Sequence, residues 1–242
     1  MQKRDHHDWD SESYVDEWVR RRQAEDGSRS ERFQLMCDLF PFPTDAPVTI
    51  LDVGAGYAPL SMFILDRHPR ARCIAQDGSA PMLNRARTLV TRYGERLIVH
   101  HSDLLETDWL PRQLGPFDAV VSSSCFHNLR DFRRISEIYR EVRDQLKPGG
   151  VFLNLDLVNA PSADLHDRYA RLTEARRRRG GGRNDHAAEI EKRGGTLEAA
   201  RPDHDFIPGS LAEHLAALTA AGLRDVDCFW KELRRALVGG YT

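Results

Sequence analysis

A chain of 242 residues with 40% hydrophobic content can fill one core, so a single large α/β domain, with room for an insertion, is expected. The net charge of −2 excludes a basic nucleic-acid surface spread over the whole protein, although it permits a local patch. No apolar run approaches the roughly 18 residues of a membrane span. The polar start, Met1 to Asp10, lacks the apolar stretch of a signal peptide, and the four cysteines form no CxxC pair, so the expectation is a cytoplasmic protein with neither disulfides nor a zinc knuckle.

Helical periodicity begins at Ser11. Tyr14, Val15, Trp18 and Val19 share one face, against Glu12, Asp16, Glu17 and the arginines 20–22. A second amphipathic helix is predicted from Ser28 or Ser30 through Phe33, Met36, Cys37 and Phe40, stopped by Pro41 and Pro43. Residues 1–44 therefore read as an N-terminal helical cap on a main domain at 45–242.

The main domain opens with an apolar run, Val48 to Val53, which breaks into a loop with glycines at 54 and 56 before a helical pattern from Leu60. Strand, tight turn and helix in that order make a ligand cradle, because glycine tolerates positive φ and lets a ligand reach the backbone beside the positive end of a helix. A dinucleotide fingerprint needs a third glycine where Pro59 stands, and a P-loop needs a Lys-Ser/Thr pair that is missing. Asp52-Val53-Gly54-Ala55-Gly56-Tyr57-Ala58 instead resembles the first motif of class I S-adenosylmethionine (SAM) dependent methyltransferases, Asp/Glu-x-Gly-x-Gly-x-Gly, with Ala58 in place of the last glycine. The resemblance implies that Asp52, Gly54, Ala55 and Gly56 meet the donor. It also implies that the N-terminal helices lie over the cofactor mouth, with Tyr14 and Trp18 toward the substrate. Plain packing of these two rings on the core is the competing reading.

Leu60 to His68 forms the first crossover helix and Ala71 to Ala75 the second strand, followed by Gln76-Asp77-Gly78-Ser79. Asp77 stands 21 positions after Gly56, an interval that puts a carboxylate at the tip of the second parallel strand, where it can accept bonds from both hydroxyls of a ribose. Ser79 caps the next helix, Ala80 to Tyr93. Asp77-Gly78-Ser79-Ala80-Pro81-Met82-Leu83 resembles the family's Asp-x-Ser-x-x-Met-Leu signature, which places Asp77 and Gly78 at the cofactor. The third strand, Leu97 to Val99, runs into His100-His101-Ser102-Asp103-Leu104. By resemblance, Asp103 bonds the adenine amino group and the Leu104 N–H a ring nitrogen. His100 and His101 point to opposite faces of a strand, so they do not share a metal, and no metal is expected.

Phe117 to Val121 is the fourth strand, and Ser122 to Leu129 leaves its carboxyl end, where a doubly wound sheet holds its ligand. Phe126-His127-Asn128-Leu129 resembles the corresponding segment of small-molecule methyltransferases. The Asn/Asp-Pro-Pro-Tyr/Phe motif of DNA amino-methyltransferases and the Pro-Cys pair of RNA cytosine enzymes are missing. Ser122 is expected at the donor and Asn128 at the substrate. His127 is the candidate catalytic base, since an imidazole titrates near neutral pH, with a backbone-bonding histidine as the alternative. Cys125 has no activating partner fixed beside it in sequence.

Asp131 caps an amphipathic helix bearing Phe132, Ile135, Ile138, Tyr139, Val142 and Leu146, and Lys147-Pro148-Gly149-Gly150 turns into a fifth strand, Val151 to Leu157. Pro161 to Pro208 reads as a helical insertion, with helices at Ser162–Arg179 and Asn184–Arg193 around Gly180-Gly181-Gly182. In the resembling family such an insertion covers the substrate, which nominates Asp156, His204 and Phe206 as pocket lining. Ser210-Leu211-Ala212-Glu213 is a capping box for the last helix, and an antiparallel pair through Cys228–Lys231 and Arg235–Gly240 closes the sheet.

The expected fold is thus a Rossmann-like sheet of seven mostly parallel strands, the last antiparallel, flanked by helices. The expected chemistry is methyl transfer from SAM, giving S-adenosyl-L-homocysteine (SAH), to a small-molecule acceptor whose O, N or C atom is open. RNA is a less favoured acceptor, and neither DNA nor a membrane is expected. A carboxy-SAM synthase-like or tRNA-modifying enzyme and a non-catalytic SAM-binding module are the alternatives.

Overall fold

The computed structural model describes residues 8–23, 26–89, 91–179 and 209–242. Seven strands form one sheet: β1 (Thr49–Val53), β2 (Arg72–Asp77), β3 (Leu97–His101), β4 (Phe117–Ser123), β5 (Leu146–Leu157), β6 (Arg224–Glu232) and β7 (Arg235–Tyr241). Their spatial order is β3-β2-β1-β4-β5-β7-β6. β1 to β5 pair in parallel, and β7 runs antiparallel to both β5 and β6. The chain therefore starts at the centre of the sheet, winds outward to β3, and crosses back through β4, leaving the switch point between β1 and β4.

The helices are α1 (Glu12–Gln23), α2 (Asp26–Asp38), α3 (Pro59–Arg67), α4 (Ala80–Leu89), α5 (Phe132–Arg143), α6 (Ala163–Arg179) and α7 (Leu211–Ala220). Alternation along the central strands divides the core into two layers. Ile50, Cys73, Ala119, Val121 and Leu153 face Phe33 and Met36 of α2 and Leu60 and Ile64 of α3. Leu51, Ile74, Val120 and Phe152 face Ile135, Ile138, Tyr139 and Val142 of α5 and Leu218 of α7. Strands buried on both faces read as near-continuous apolar runs, which is why β1, β4 and β5 are legible in the sequence.

Several boundaries differ from expectation. Lys147-Pro148-Gly149-Gly150 lies inside β5: Phe117 pairs with Leu146 before the register shifts to Ala119 with Val151, so the segment bulges within a strand pair. α4 ends at Leu89, and a 3₁₀ stretch with a kink at Gly94 (φ 54°) replaces its predicted last turn. α2 starts at Asp26, ahead of Ser28. The Ser210 hydroxyl accepts from the Glu213 amide and the Glu213 carboxylate accepts from the Ser210 amide, completing the capping box of α7. The predicted helix at 184–193 lies outside the described residues. No helix among the described residues is long and apolar enough to cross a membrane.

Candidate cofactor and catalytic site

The carboxyl ends of β1 to β5 converge on one edge of the sheet, and each delivers a loop. After β1, Gly54 (φ 65°) and Gly56 (φ 58°) turn the chain into α3. Gly54 is required twice over, because a Cβ there would stand 2.0 Å from the Cys125 Sγ of the β4 loop. The two loops at the switch point are packed against each other at this residue. Ala58, in the place of the motif's third glycine, also holds a left-handed backbone (φ 65°) as the residue before α3, a conformation that costs a side-chain-bearing residue about 1–2 kcal/mol.

Asp77 ends β2. One of its carboxylate oxygens accepts from the Gly56 amide at 2.7 Å and the other from the Ser79 amide at 2.8 Å. A carboxylate oxygen has two lone-pair sites, so an amide bond to each oxygen does not exhaust its acceptor capacity. Burial pushes the Asp77 carboxyl above its ordinary value, and the Ser79 and Gly56 amides oppose that rise. Gly78 is exposed beside it. On the β3 loop, the Asp103 carboxylate accepts from the Leu105 amide at 3.0 Å, and Leu104 is buried below it.

Three residues expected at the donor are hydrogen-bonded within the protein. Asp52 is 1% exposed and accepts from the amide and hydroxyl of Ser61, at 3.1 and 2.7 Å. It fastens β1 to α3, and burial drives its carboxyl up to about 7. Ser122 is fully buried and donates its hydroxyl to the Val53 carbonyl at 2.9 Å, so it joins β4 to β1 and offers no surface to a ligand. Ala55 is buried too, with its amide on the Gln76 carbonyl at 2.8 Å.

Gln76 carries no flag in the sequence, yet it connects all three donor loops. Its side-chain oxygen accepts from the Gly54 amide at 3.1 Å, and its NH₂ donates to the Ser102 carbonyl at 2.7 Å. A glutamine at a strand end looks like a turn residue until the partner strands are in place.

The β4 loop carries Cys125 and then a 3₁₀ turn, Phe126–Leu129, anchored by buried Phe126 against Tyr139. His127 follows this anchor. Its Nδ1 lies 2.6 Å from Asp156 Oδ1 on β5, and its backbone N–H donates to Asp156 Oδ2 at 3.1 Å. The His127 side chain retains 21% exposure while the Asp156 side chain retains 4%. Asp156 therefore does not line a pocket as expected; it lies beneath His127 and fixes the ring. Burial alone would raise its carboxyl, but His127 and the Leu157 and His127 amides outweigh burial and hold it below the usual range. With the Nδ1 proton donated to this carboxylate, Nε2 is the lone-pair atom of the neutral ring. The Cys125 thiol is pushed well up by burial, with Asp77, Asp156 and Asp52 adding to it, which leaves it a protonated, poor nucleophile.

The aromatic residues of the cap gather over the first loop. Trp18 packs edge-on against Tyr57 and Trp9, Trp9 meets Tyr14, and the Trp9 carbonyl accepts from the Ser79 hydroxyl at 2.6 Å. Tyr14 and Trp18 are thus brought to the cofactor edge as part of a packed cluster with Met82. Asn128 is exposed on the 3₁₀ turn. His204 and Phe206 lie outside the described residues.

The profile of a family described as a methyltransferase domain matches residues 50–150. A malonyl-[acyl-carrier protein] O-methyltransferase of Geobacter sulfurreducens is 36% identical over 106 residues, which cover 44% of this chain and 37% of that protein. A trans-aconitate 2-methyltransferase of Streptomyces coelicolor is 29% identical over 218 residues, covering 88% of this chain and 61% of that one. The fold is shared with a solved structure described as PigF with SAH, at a TM-score of 0.65 and 18% identity over 97% of this chain and 60% of that one. Residues 50–150 thus resemble a methyltransferase domain, and the fold is one that SAM-dependent methyltransferases share. The chain's matched part spans between a third and a half of the first curated relatives, with coverage of 37%, 50% and 34%.

The site fits SAM on its own chemistry. Gly54 and Gly56 leave the loop free of side chains, and Asp77 offers acceptor capacity of the kind ribose hydroxyls need.

Proposed function

We propose that this protein is an enzyme that transfers the methyl group of SAM to a small-molecule acceptor whose accepting atom carries a proton. SAM, when bound, supplies a methyl group on a positively charged sulfur, open to in-line displacement. Asp77 accepts the ribose hydroxyls, Gly54 and Gly56 let the donor approach the backbone, and Asp103 and Leu104 take the adenine edge.

The observation that carries the reading is the His127–Asp156 pair, on the loop whose Cys125 packs against Gly54. Asp156 takes the Nδ1–H, so Nε2 keeps its lone pair and receives the proton that a hydroxyl or amine loses as its new bond to carbon forms. The carboxylate then stabilises the imidazolium. Such a pair has no task for an acceptor that is already a carboxylate, which needs only alignment and a dry site.

Formation of SAH from SAM with a panel of phenols, alcohols, amines and carboxylic acids tests this directly. Turnover of proton-bearing acceptors that His127→Gln lowers by about 10²–10⁴, with SAH affinity retained, is expected. Turnover confined to carboxylates and indifferent to His127→Gln would contradict it. The mass of the ligand carried through purification separates SAM from a carboxylated sulfonium.

A further inference from the structure

Arg134, on the first turns of α5, has its side chain only 12% exposed. Its fork reaches off its own helix. Nε donates to the Leu104 carbonyl at 2.8 Å and Nη2 to the Glu106 carbonyl at 3.2 Å, while Nη1 meets Glu141 Oε1 at 2.8 Å. Glu141 is held in turn by the indole N–H of fully buried Trp109, at 2.5 Å. The Trp109 carbonyl accepts from the Ser102 hydroxyl at 2.6 Å, and Gln76 donates to the Ser102 carbonyl.

The turn after β3 is therefore pinned at 102 by Gln76 and Trp109, and at 104 and 106 by one guanidinium. Leu105, at its tip, is 53% exposed and gives little apolar anchorage. The polar pins, together with buried Leu104, set the position of this backbone. A helix-surface ion pair alone would be worth little, but two main-chain carbonyls of another loop, met by one rigid fork, fix a geometry that a lysine's single ammonium cannot reproduce.

We infer that Arg134 is a positioning residue for adenine selectivity: by clamping the Asp103–Glu106 turn it holds the Asp103 acceptor and the Leu104 amide in register with the purine edge. This rests on the donor reading above. The register matters because a purine with an oxo group in place of the exocyclic amine presents an acceptor to Asp103, and a buried mismatch of that kind is rejected only while the protein group cannot move away.

The test compares SAH with S-inosyl-L-homocysteine by calorimetry, in wild type, Arg134→Gln and Arg134→Lys, alongside hydrogen exchange of the free proteins. Wild type is expected to prefer SAH by about tenfold or more, as one mispaired buried group costs about 1–3 kcal/mol. In Arg134→Gln the preference should fall below about threefold, with Arg134→Lys giving only partial recovery. Amides at 104–106 should exchange faster while those of β3 are unchanged. Should Arg134→Gln not fold, Glu141→Gln, which frees the guanidinium from its anchor, is expected to move both readouts the same way. An undiminished preference for SAH in folded Arg134→Gln would overturn the inference. So would unchanged exchange at 104–106, a readout that stands even if wild type takes up no SAH, the result that would sink the donor reading itself.

Discussion

The Gln76 side chain accepts from the Gly54 amide at 3.1 Å while its NH₂ reaches across β2 to the Ser102 carbonyl. One fully buried amide thereby holds the loops after β1 and β3 at a fixed separation. Replacing it with leucine leaves a donor and an acceptor without partners, at about 1–3 kcal/mol for each buried group. Gln76→Leu is expected to lower the melting temperature and to weaken SAH binding about tenfold or more, measured by calorimetry on the folded fraction.

His127 and Asp156 act as a unit if His127 is the base. His127→Gln should lower kcat by about 10²–10⁴, the usual range for general-base catalysis. SAH affinity should change little. Asp156→Asn removes the carboxylate that fixes the Nδ1 proton, and should lower kcat in the same direction while altering the acid limb of the pH–rate profile. Equal losses of kcat and SAH affinity in both variants would point to structural damage.

Asp52 links the fold to pH. Its carboxyl is raised to about 7 in the folded chain, against about 3.9 unfolded. Between those values the folded state binds the extra proton, so stability falls as pH rises from about 4 to about 7. Asp77, also raised, has the same sign. Asp156, depressed, has the opposite one: its stabilisation is present above about 4 and lost as pH falls further. Asp52→Asn keeps an oxygen for Ser61 and cannot ionise. Its melting temperature should vary less between pH 5 and pH 8 than that of wild type, as followed by calorimetry across that range.

Gly54 and Gly94 both have positive φ, 65° and 54°, but a Cβ at 94 meets nothing within 4 Å. Gly94→Ala should cost only the conformational penalty of a sparsely populated backbone region, about 1–3 kcal/mol. Gly54→Ala adds a collision with both Sγ and Cβ of Cys125 and should cost more, and Cys125→Gly in the same chain, which removes both atoms, should recover part of the difference. Denaturant melts of the three proteins measure this.

Much of the sheet is legible in the sequence because its signals are local. Val48 to Val53 and Phe117 to Val121 are apolar runs bounded by turn residues, and the interval from Gly56 to Asp77 is that of one crossover unit. Contacts between distant segments are not local. Nothing near Asp156 in sequence indicates that His127 lies above it, and Arg134 reads as one more arginine on an exposed helix until the β3 loop is folded against it. The bulge at Lys147–Gly150 escapes for the same reason, since its meaning depends on the register with Phe117.

The donor site is the foundation, and titration of the purified chain with SAH, with Asp77→Ala as the comparison, probes it most directly. Saturable binding in wild type, weakened about a hundredfold or more in a folded Asp77→Ala because two hydroxyls lose a charged acceptor at about 1.5–3 kcal/mol each, is the predicted result. Absence of binding in wild type, or equal affinity in the two proteins, would contradict the account.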